Sequence, residues 1–219
     1  PNDKLLSVQL PSYNSTVVTA YYRIPSKHSP KKYNEWMSNM LSLQDPMVIF
    51  TQPDMVDYIW TLRRHAINRT VIISLSIDKL PIVTRFTTSS STNNSSSSLS
   101  SSSFWEHQLD MDREKHIHRS YKLFWVWLSK TWFVNETIRY NFFQSHVFVW
   151  SDIGCFRSTR YNNETMVMYP ERIPHHEVIQ MAFQRPKPPQ TDLFNDKFNH
   201  PTNFYHSGSQ FAGYKSTLQ

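Results

Sequence analysis

A hydrophobic run ends abruptly on an acid and a glycine in SHVFVWSDIGCFR, residues 145–157. Asp152 supplies a carboxylate at the end of what reads as a buried strand, and Gly154 follows two residues later. The 219-residue chain has only three glycines, and the other two, Gly208 and Gly213, share the segment HSGSQFAG. Glycine serves where backbone must turn sharply or come close to another group. In α/β sheets ligands bind beyond the carboxyl ends of strands. Asp152 and Gly154 therefore form a candidate ligand site. The alternative, that all three glycines simply make turns, stays open at this point.

Other residues with chemical potential point elsewhere. His175 and His176 are neighbours, so on a strand they face opposite ways and do not share a metal. The HIH segment at 116–118 would put two rings on one strand face, yet no acid stands at a useful spacing, and metal binding is not expected there. Trp125, Trp127, Trp132 and Phe133 read as packing for a core helix. The single cysteine, Cys155, excludes an intrachain disulfide and a Cys-rich structural zinc site. No activating base stands beside it, so a buried, inert thiol is expected.

The elements that must position Asp152 follow an alternating pattern. STVVTAYYRI (15–24) is β-branched and aromatic and reads as a strand closed by Pro25. PKKYNEWMSNMLSL (30–43) carries Tyr33, Trp36, Met37, Met40 and Leu41 at helical spacing. MVIFT (47–51) is a short apolar strand. PDMVDYIWTLRRHA (53–66) reads as a helix with Pro and acids in its first turn. TVIISLSI (70–77) is a third strand. HRSYKLFWVWLSKTWFVNETIRYN (118–141) is an aromatic-rich helical stretch, and HVFVWSD (146–152) is the fourth strand. HEVIQMAFQ (176–184) reads as a strand or short helix, RPKPPQ (185–190) as a rigid loop, and NFYHSGSQFAGYKSTLQ (203–219) as strand, turn and helix start. Strand, helix, strand, helix, strand predicts an α/β fold with a mainly parallel sheet. The serine tract, 87–103, is expected to form a surface insertion loop.

A chain of this length buries the core of one domain, 1–219, and 15% aromatic residues suit a pocket-forming protein. The formal charge of +6 is scattered rather than clustered, which suits anionic small molecules. Nucleic acid is not an expected partner, because no nucleic-acid motif accompanies the charge. No internal run is long and apolar enough to span a bilayer. The chain opens on Pro1 without an initiator methionine, and it is read as a piece truncated at both ends, so that a membrane anchor outside it is compatible with the sequence.

Five segments carry a resemblance: VVTAYYRI, SKHSPKKYNEWMSNMLSLQDPMVIFT, VWLSKTWFVNETIRYN, SHVFVWSDIGCFR and HSGSQFAG. In this order, over most of residues 15–215, they resemble the HtrL/YibB family of glycosyltransferase-like proteins. The resemblance implies a GT-A-like (Rossmann-like) domain that moves a sugar from a nucleotide-sugar donor to a glycan or other hydroxyl acceptor. It assigns the donor diphosphate and a divalent metal to Asp152, with Gly154 standing where the fuller motif has a second acid. A carboxylate and phosphate oxygens are hard ligands suited to Mn²⁺ or Mg²⁺. It assigns the nucleotide to Thr19, Ala20, Tyr21, Tyr22 and Arg23, with phosphate candidates at Lys27 and Lys130. Ordinary core packing is the alternative for the two tyrosines. His206, Ser207 and Gly208 match the acceptor side.

The missing second acid leaves a second reading, a catalytically inactive relative acting as a binding or scaffold module. Glycosylation sequons at Asn14, Asn68, Asn93, Asn94, Asn135 and Asn163 favour a secretory (Golgi) lumen over the cytoplasm.

Overall fold

Strand β1, Ser15–Tyr21, is buried along its whole length, and so are β2, Met47–Thr51, and β4, Val147–Ser151. Such unbroken apolar runs belong to parallel strands covered on both faces. In the computed structural model, which describes residues 10–26, 28–89, 101–182 and 206–219, they pair in parallel, with β3, Thr70–Ser74, on the outer side of β2. Val17 stands opposite Met47, and Val18 opposite Trp150. Two antiparallel strands complete the sheet, β5, Ile179–Ala182, and β6, His206–Tyr214. Its order is β3-β2-β1-β4-β6-β5.

Helix α1, Pro30–Leu41, makes the crossover from β1 to β2; the Ser29 side chain accepts from the Lys32 amide at its start and Pro30 occupies its first turn. Between β2 and β3 the expected single helix is three pieces: a 3₁₀ turn at Pro53–Met55, helix α2 at Val56–Leu62, and a kinked 3₁₀ stretch at Arg64–Arg69. The β3-to-β4 crossover holds α3, Pro81–Ser89, α4, Ser101–Met111, α5, Lys115–His118, α6, Lys122–Leu128, and α7, Lys130–Tyr140. Arg119 ends α5 in a left-handed conformation, and Asn141 ends α7 the same way.

The period-2 alternation of β1 divides the core. Val18, Ala20 and Tyr22 face a cluster with Phe50, Phe133, Phe148 and Trp150 beneath α6 and α7. Val17 and Tyr21 face Met37, Met40, Leu41 and Ile59 beneath α1 and α2.

Further sequence expectations need correction. The first and third strands stop at Tyr21 and Ser74, earlier than 24 and 77, because the chain leaves the sheet there to form loops at its carboxyl edge. The serine tract is helical at both ends, where 87–89 prolong α3 and 101–103 open α4; each end is continuous with apolar helix residues such as Val83 and Trp105, while 90–100 lie outside the described residues. The 118–141 stretch breaks twice: His118 closes α5, the helix resumes at Lys122, and Ser129 divides α6 from α7. Finally, HSGSQFAG contains no turn. It lies within β6, where Gly213 opposes Phe148 and an added Cβ would lie 3.1 Å from Leu218 of the closing helix α8, Lys215–Leu218. Close packing, not a bend, accounts for that glycine. The RPKPPQ loop lies outside the described residues, among which no helix is long and apolar enough to cross a membrane.

Candidate functional site

From β1 the chain winds outward to β2 and β3, then returns to place β4 on the other side of β1. The carboxyl ends of β1 and β4 therefore diverge at a topological switch point, the location where open α/β sheets form ligand crevices. A cleft of about 1790 Å³ opens there. Ala20, Tyr21, Tyr22 and Arg23 line it from β1 and the residues after it, while Trp150, Asp152 and Gly154 line it from β4 and beyond.

Asp152 is held from three directions. Lys130, at the start of α7, donates from Nζ to Oδ1 at 2.8 Å and Oδ2 at 2.9 Å. The Trp150 indole donates from Nε1 to Oδ1 at 2.8 Å, and the Asp152 amide donates to the Ser209 carbonyl at 2.8 Å. Burial raises the carboxyl's pKa; the attraction of Lys130 and its hydrogen bond oppose that without cancelling it.

This donor set does not suit a divalent metal. Both carboxylate oxygens already accept hydrogen bonds, and among the described residues no group of three His, Cys, Asp or Glu is placed to hold an ion. Mn²⁺ and Mg²⁺ take several oxygen ligands, and a lone carboxylate already neutralised by an ammonium offers them little.

The sequence candidates separate into groups. Ala20, Tyr21, Tyr22, Arg23, Asp152 and Gly154 share the cleft. Thr19 does not: it is fully buried, and its hydroxyl points to the Met40 sulfur at 3.9 Å, because alternation turns it to the α1 face of the sheet. Lys130 reaches the site through Asp152. Arg23 is drawn sideways into an exposed ion pair with Asp54 at 2.8 Å. Lys27 lies outside the described residues, as do the side chains of 206–208. Their backbone forms the first part of β6, where Ser207 opposes Met181, and the following Ser209 and Gln210 line the cleft. Gly154 has no positive φ; an added Cβ would lie 3.4 Å from the Trp36 ring. Cys155 is half-buried rather than buried, and burial with the neighbouring Asp152 charge pushes its thiol pKa up, away from nucleophilic use.

Several cleft residues were not singled out in the sequence. Arg157 lies 4.6 Å over the Trp36 ring and Arg160 4.4 Å over the Tyr161 ring. With Arg119, three arginines line the cleft besides Arg23, which Asp54 already pairs, against two carboxylates, Asp152 and Glu164. Their signal was present in SDIGCFRSTR, where two arginines follow the strand-end acid within eight residues. The segment bearing them is tied down. Asn39 Nδ2 donates to the Phe156 carbonyl at 3.1 Å, and the Met166 and Val167 amides donate to the Asp45 carboxylate at 2.6 and 2.9 Å.

Two buried polar groups of cleft residues, the Tyr22 hydroxyl and Trp36 Nε1, have no hydrogen-bond partner among the described residues. HIH at 116–118 is helical rather than a strand, and an acid does reach it: His118 Nδ1 lies 2.5 Å from Asp112 Oδ2, and Nε2 lies 3.6 Å from Glu114 Oε2.

No curated protein and no solved structure matches the chain. A family model described as "Bacterial protein of unknown function (HtrL_YibB)" matches residues 13–197. That span includes the β1 end, the α1 wall, Asp152 and the arginine-bearing segment that together build the cleft, and the chain belongs to the HtrL/YibB family.

Proposed function

We propose that the cleft receives a nucleotide-sugar donor and that the chain is a glycosyltransferase-like domain of GT-A type. The observation that carries this reading is the meeting of aromatic walls and a surplus of arginines at the β1/β4 switch point. Arg157 and Arg160 offer forked cations to a diphosphate, while Tyr21 and Tyr22 reach the cleft only with the small part of each ring that burial in the two core clusters leaves exposed. The acid directly after the fourth parallel strand agrees with the GT-A resemblance.

The chemistry required is a substitution at the anomeric carbon. A bond forms from an acceptor oxygen, the bond from that carbon to the diphosphate oxygen breaks, and its electron pair leaves with the diphosphate. The acceptor proton passes to a base or to solvent. Arginines beside the diphosphate stabilise the growing negative charge. The poor fit of Asp152 to an ion means that no step is routed through a metal; the Lys130–Asp152 pair instead rigidifies the floor beneath the donor.

One observation favours the second reading, a binding module without catalysis: Asp152 is enclosed by Lys130 and Trp150, and among the described residues it belongs to no group of three His, Cys, Asp or Glu that could hold an ion. Calorimetric titration of UDP and GDP, with and without Mn²⁺, tests the site. Binding weakened by Arg157→Ala and Arg160→Ala supports the donor reading, and absence of binding by the folded chain overturns it. Release of nucleoside diphosphate from UDP- and GDP-sugars then separates enzyme from binding module.

A further inference from the structure

On the α5–α6 side of the same cleft, a second constellation comes from elements other than the segment that bears Arg157 and Arg160. Trp127 lines it and leaves 41% of its surface exposed, in a helix whose one buried residue is Trp125. The His118 ring meets the Trp127 ring edge-to-face at 4.9 Å. Asp112 fixes that imidazole through Nδ1 at 2.5 Å, and His118 is only 14% exposed, so the ring is held rather than free to swing. Burial pushes the Asp112 carboxyl up, but the His118 hydrogen bond, the Glu114 amide and the nearby imidazoles outweigh it and hold the carboxyl below its usual range. Leu123 and Val126 add apolar wall, and Arg119, held left-handed at the end of α5, adds a cationic rim.

A part-exposed indole, packed against His118 and Phe124, beside an oriented imidazole and a guanidinium matches a ligand with an apolar C–H face and a ring of hydroxyls. We infer that this side of the cleft is a saccharide-binding subsite, with the sugar ring laid on Trp127 and its hydroxyls hydrogen-bonded to His118 and Arg119. Resting on the donor reading, the inference makes the acceptor a carbohydrate. Asp112 acts through His118 as a positioning residue. Nothing on this side resembles the paired arginines that suit a diphosphate, so the two sets of elements divide the cleft by chemistry.

The test uses the whole chain, with nuclear magnetic resonance of its histidine and tryptophan side chains. The probes are methyl β-glucoside, methyl β-galactoside and N-acetylglucosamine, with UDP as a separate arm. Expected is a shift of the His118 and Trp127 signals by at least one saccharide, with saturation transferred to the sugar C–H protons. UDP should leave those signals in place and respond instead to Arg157→Ala. Trp127→Ala should weaken saccharide binding about tenfold, and Asp112→Asn should weaken it less, since it frees the imidazole without removing it. If Trp127→Ala unfolds the chain, Trp127→Phe supplies the comparison. Failure of every saccharide to move His118 or Trp127, or binding unchanged in Trp127→Ala and His118→Gln, overturns the subsite. Saccharide binding without UDP binding removes the donor reading and leaves the subsite standing; UDP binding alone does the reverse.

Discussion

Lys130 and Asp152 form an ion pair across the floor of the cleft, Nζ lying 2.8 and 2.9 Å from the two carboxylate oxygens. The pair joins the start of α7 to the end of β4, so the acid that sequence motifs suggest as a metal ligand is already neutralised by the protein itself. Lys130 also lies 5.8 Å over the Trp150 ring, whose indole N–H donates to the same carboxylate.

Breaking this pair has a pH signature. Asp152 has a raised pKa in the folded chain. Between the ordinary carboxylate range and that raised value, the folded protein holds a proton that the unfolded chain has released. The group's contribution is therefore full below the ordinary range and falls away as pH rises through the raised value. Denaturant unfolding at a series of pH values should show this downward slope in the unaltered protein and its loss in Asp152→Asn. Lys130→Met should lower stability by about 2 kcal/mol at neutral pH, short of a fully dry pair because the carboxylate side chain is one-third exposed.

Tyr22 presents the opposite case, a buried polar group without a partner. Its hydroxyl accepts and donates nothing among the described residues, and burial pushes its pKa up. An unsatisfied buried hydroxyl costs about 1–3 kcal/mol. Tyr22→Phe should therefore leave stability unchanged or raise it by about 1 kcal/mol, and should leave UDP binding unchanged, since the buried hydroxyl is out of a ligand's reach. Thermal unfolding and calorimetry on one pair of proteins check both halves. A variant that loses stability would mean that the hydroxyl has a partner in solution.

Much of the architecture was legible because local signals agreed with one another. The apolar runs 47–51 and 147–151 have the composition of doubly covered strands, and Tyr33, Trp36, Met37, Met40 and Leu41 at helical spacing mark α1. The failures have physical causes. Strand ends at Tyr21 and Ser74 depend on where partners stop pairing, which no single strand's composition records. Gly213 looked like a turn because its reason for being small is Leu218, which only the folding back of α8 brings near. Thr19 was a site residue only by the family resemblance, and alternation along β1 points it at Met40. His118 and Asp112 meet only because the chain between them turns back on itself before α5, a pairing that a strand reading of HIH could not anticipate.

The wall carrying Arg157 and Arg160 depends on a buried clamp. Arg63 is fully buried; its Nη1 donates to the Leu41 and Leu43 carbonyls at 3.1 and 2.6 Å, its Nη2 to the Asp45 carbonyl at 3.0 Å, and its Nε to the Thr70 hydroxyl at 2.8 Å. Burial brings its pKa down to about 10, so it remains charged at neutral pH. The loop it shapes presents Asp45, whose carboxylate accepts the Met166 and Val167 amides. Asp45→Ala should speed hydrogen exchange at those two amides and lower stability by about 2 kcal/mol. Arg63→Met should do more, about 3 kcal/mol, because it leaves several buried carbonyls without a donor. Exchange that stays slow at 166 and 167 in Asp45→Ala would separate the clamp from the wall.

Gly154 decides between packing and ligand approach. Its backbone has no positive φ, so an alanine there carries no conformational strain. The new methyl would lie 3.4 Å from the Trp36 ring and 3.8 Å from the Tyr33 ring, contacts that small adjustments of two side chains relieve. Gly154→Ala should therefore change stability by less than about 0.5 kcal/mol. The position nevertheless lines the cleft two residues after Asp152, where the donor diphosphate is proposed to pass. If a ligand uses the space above the glycine, the methyl obstructs it, and UDP affinity falls about tenfold while the unfolding curve stays in place. If instead Trp36 is the only group that needs the space, stability falls and affinity does not. A variant unaltered in both would remove Gly154 from the site and leave Arg157 and Arg160 as the residues that hold the diphosphate.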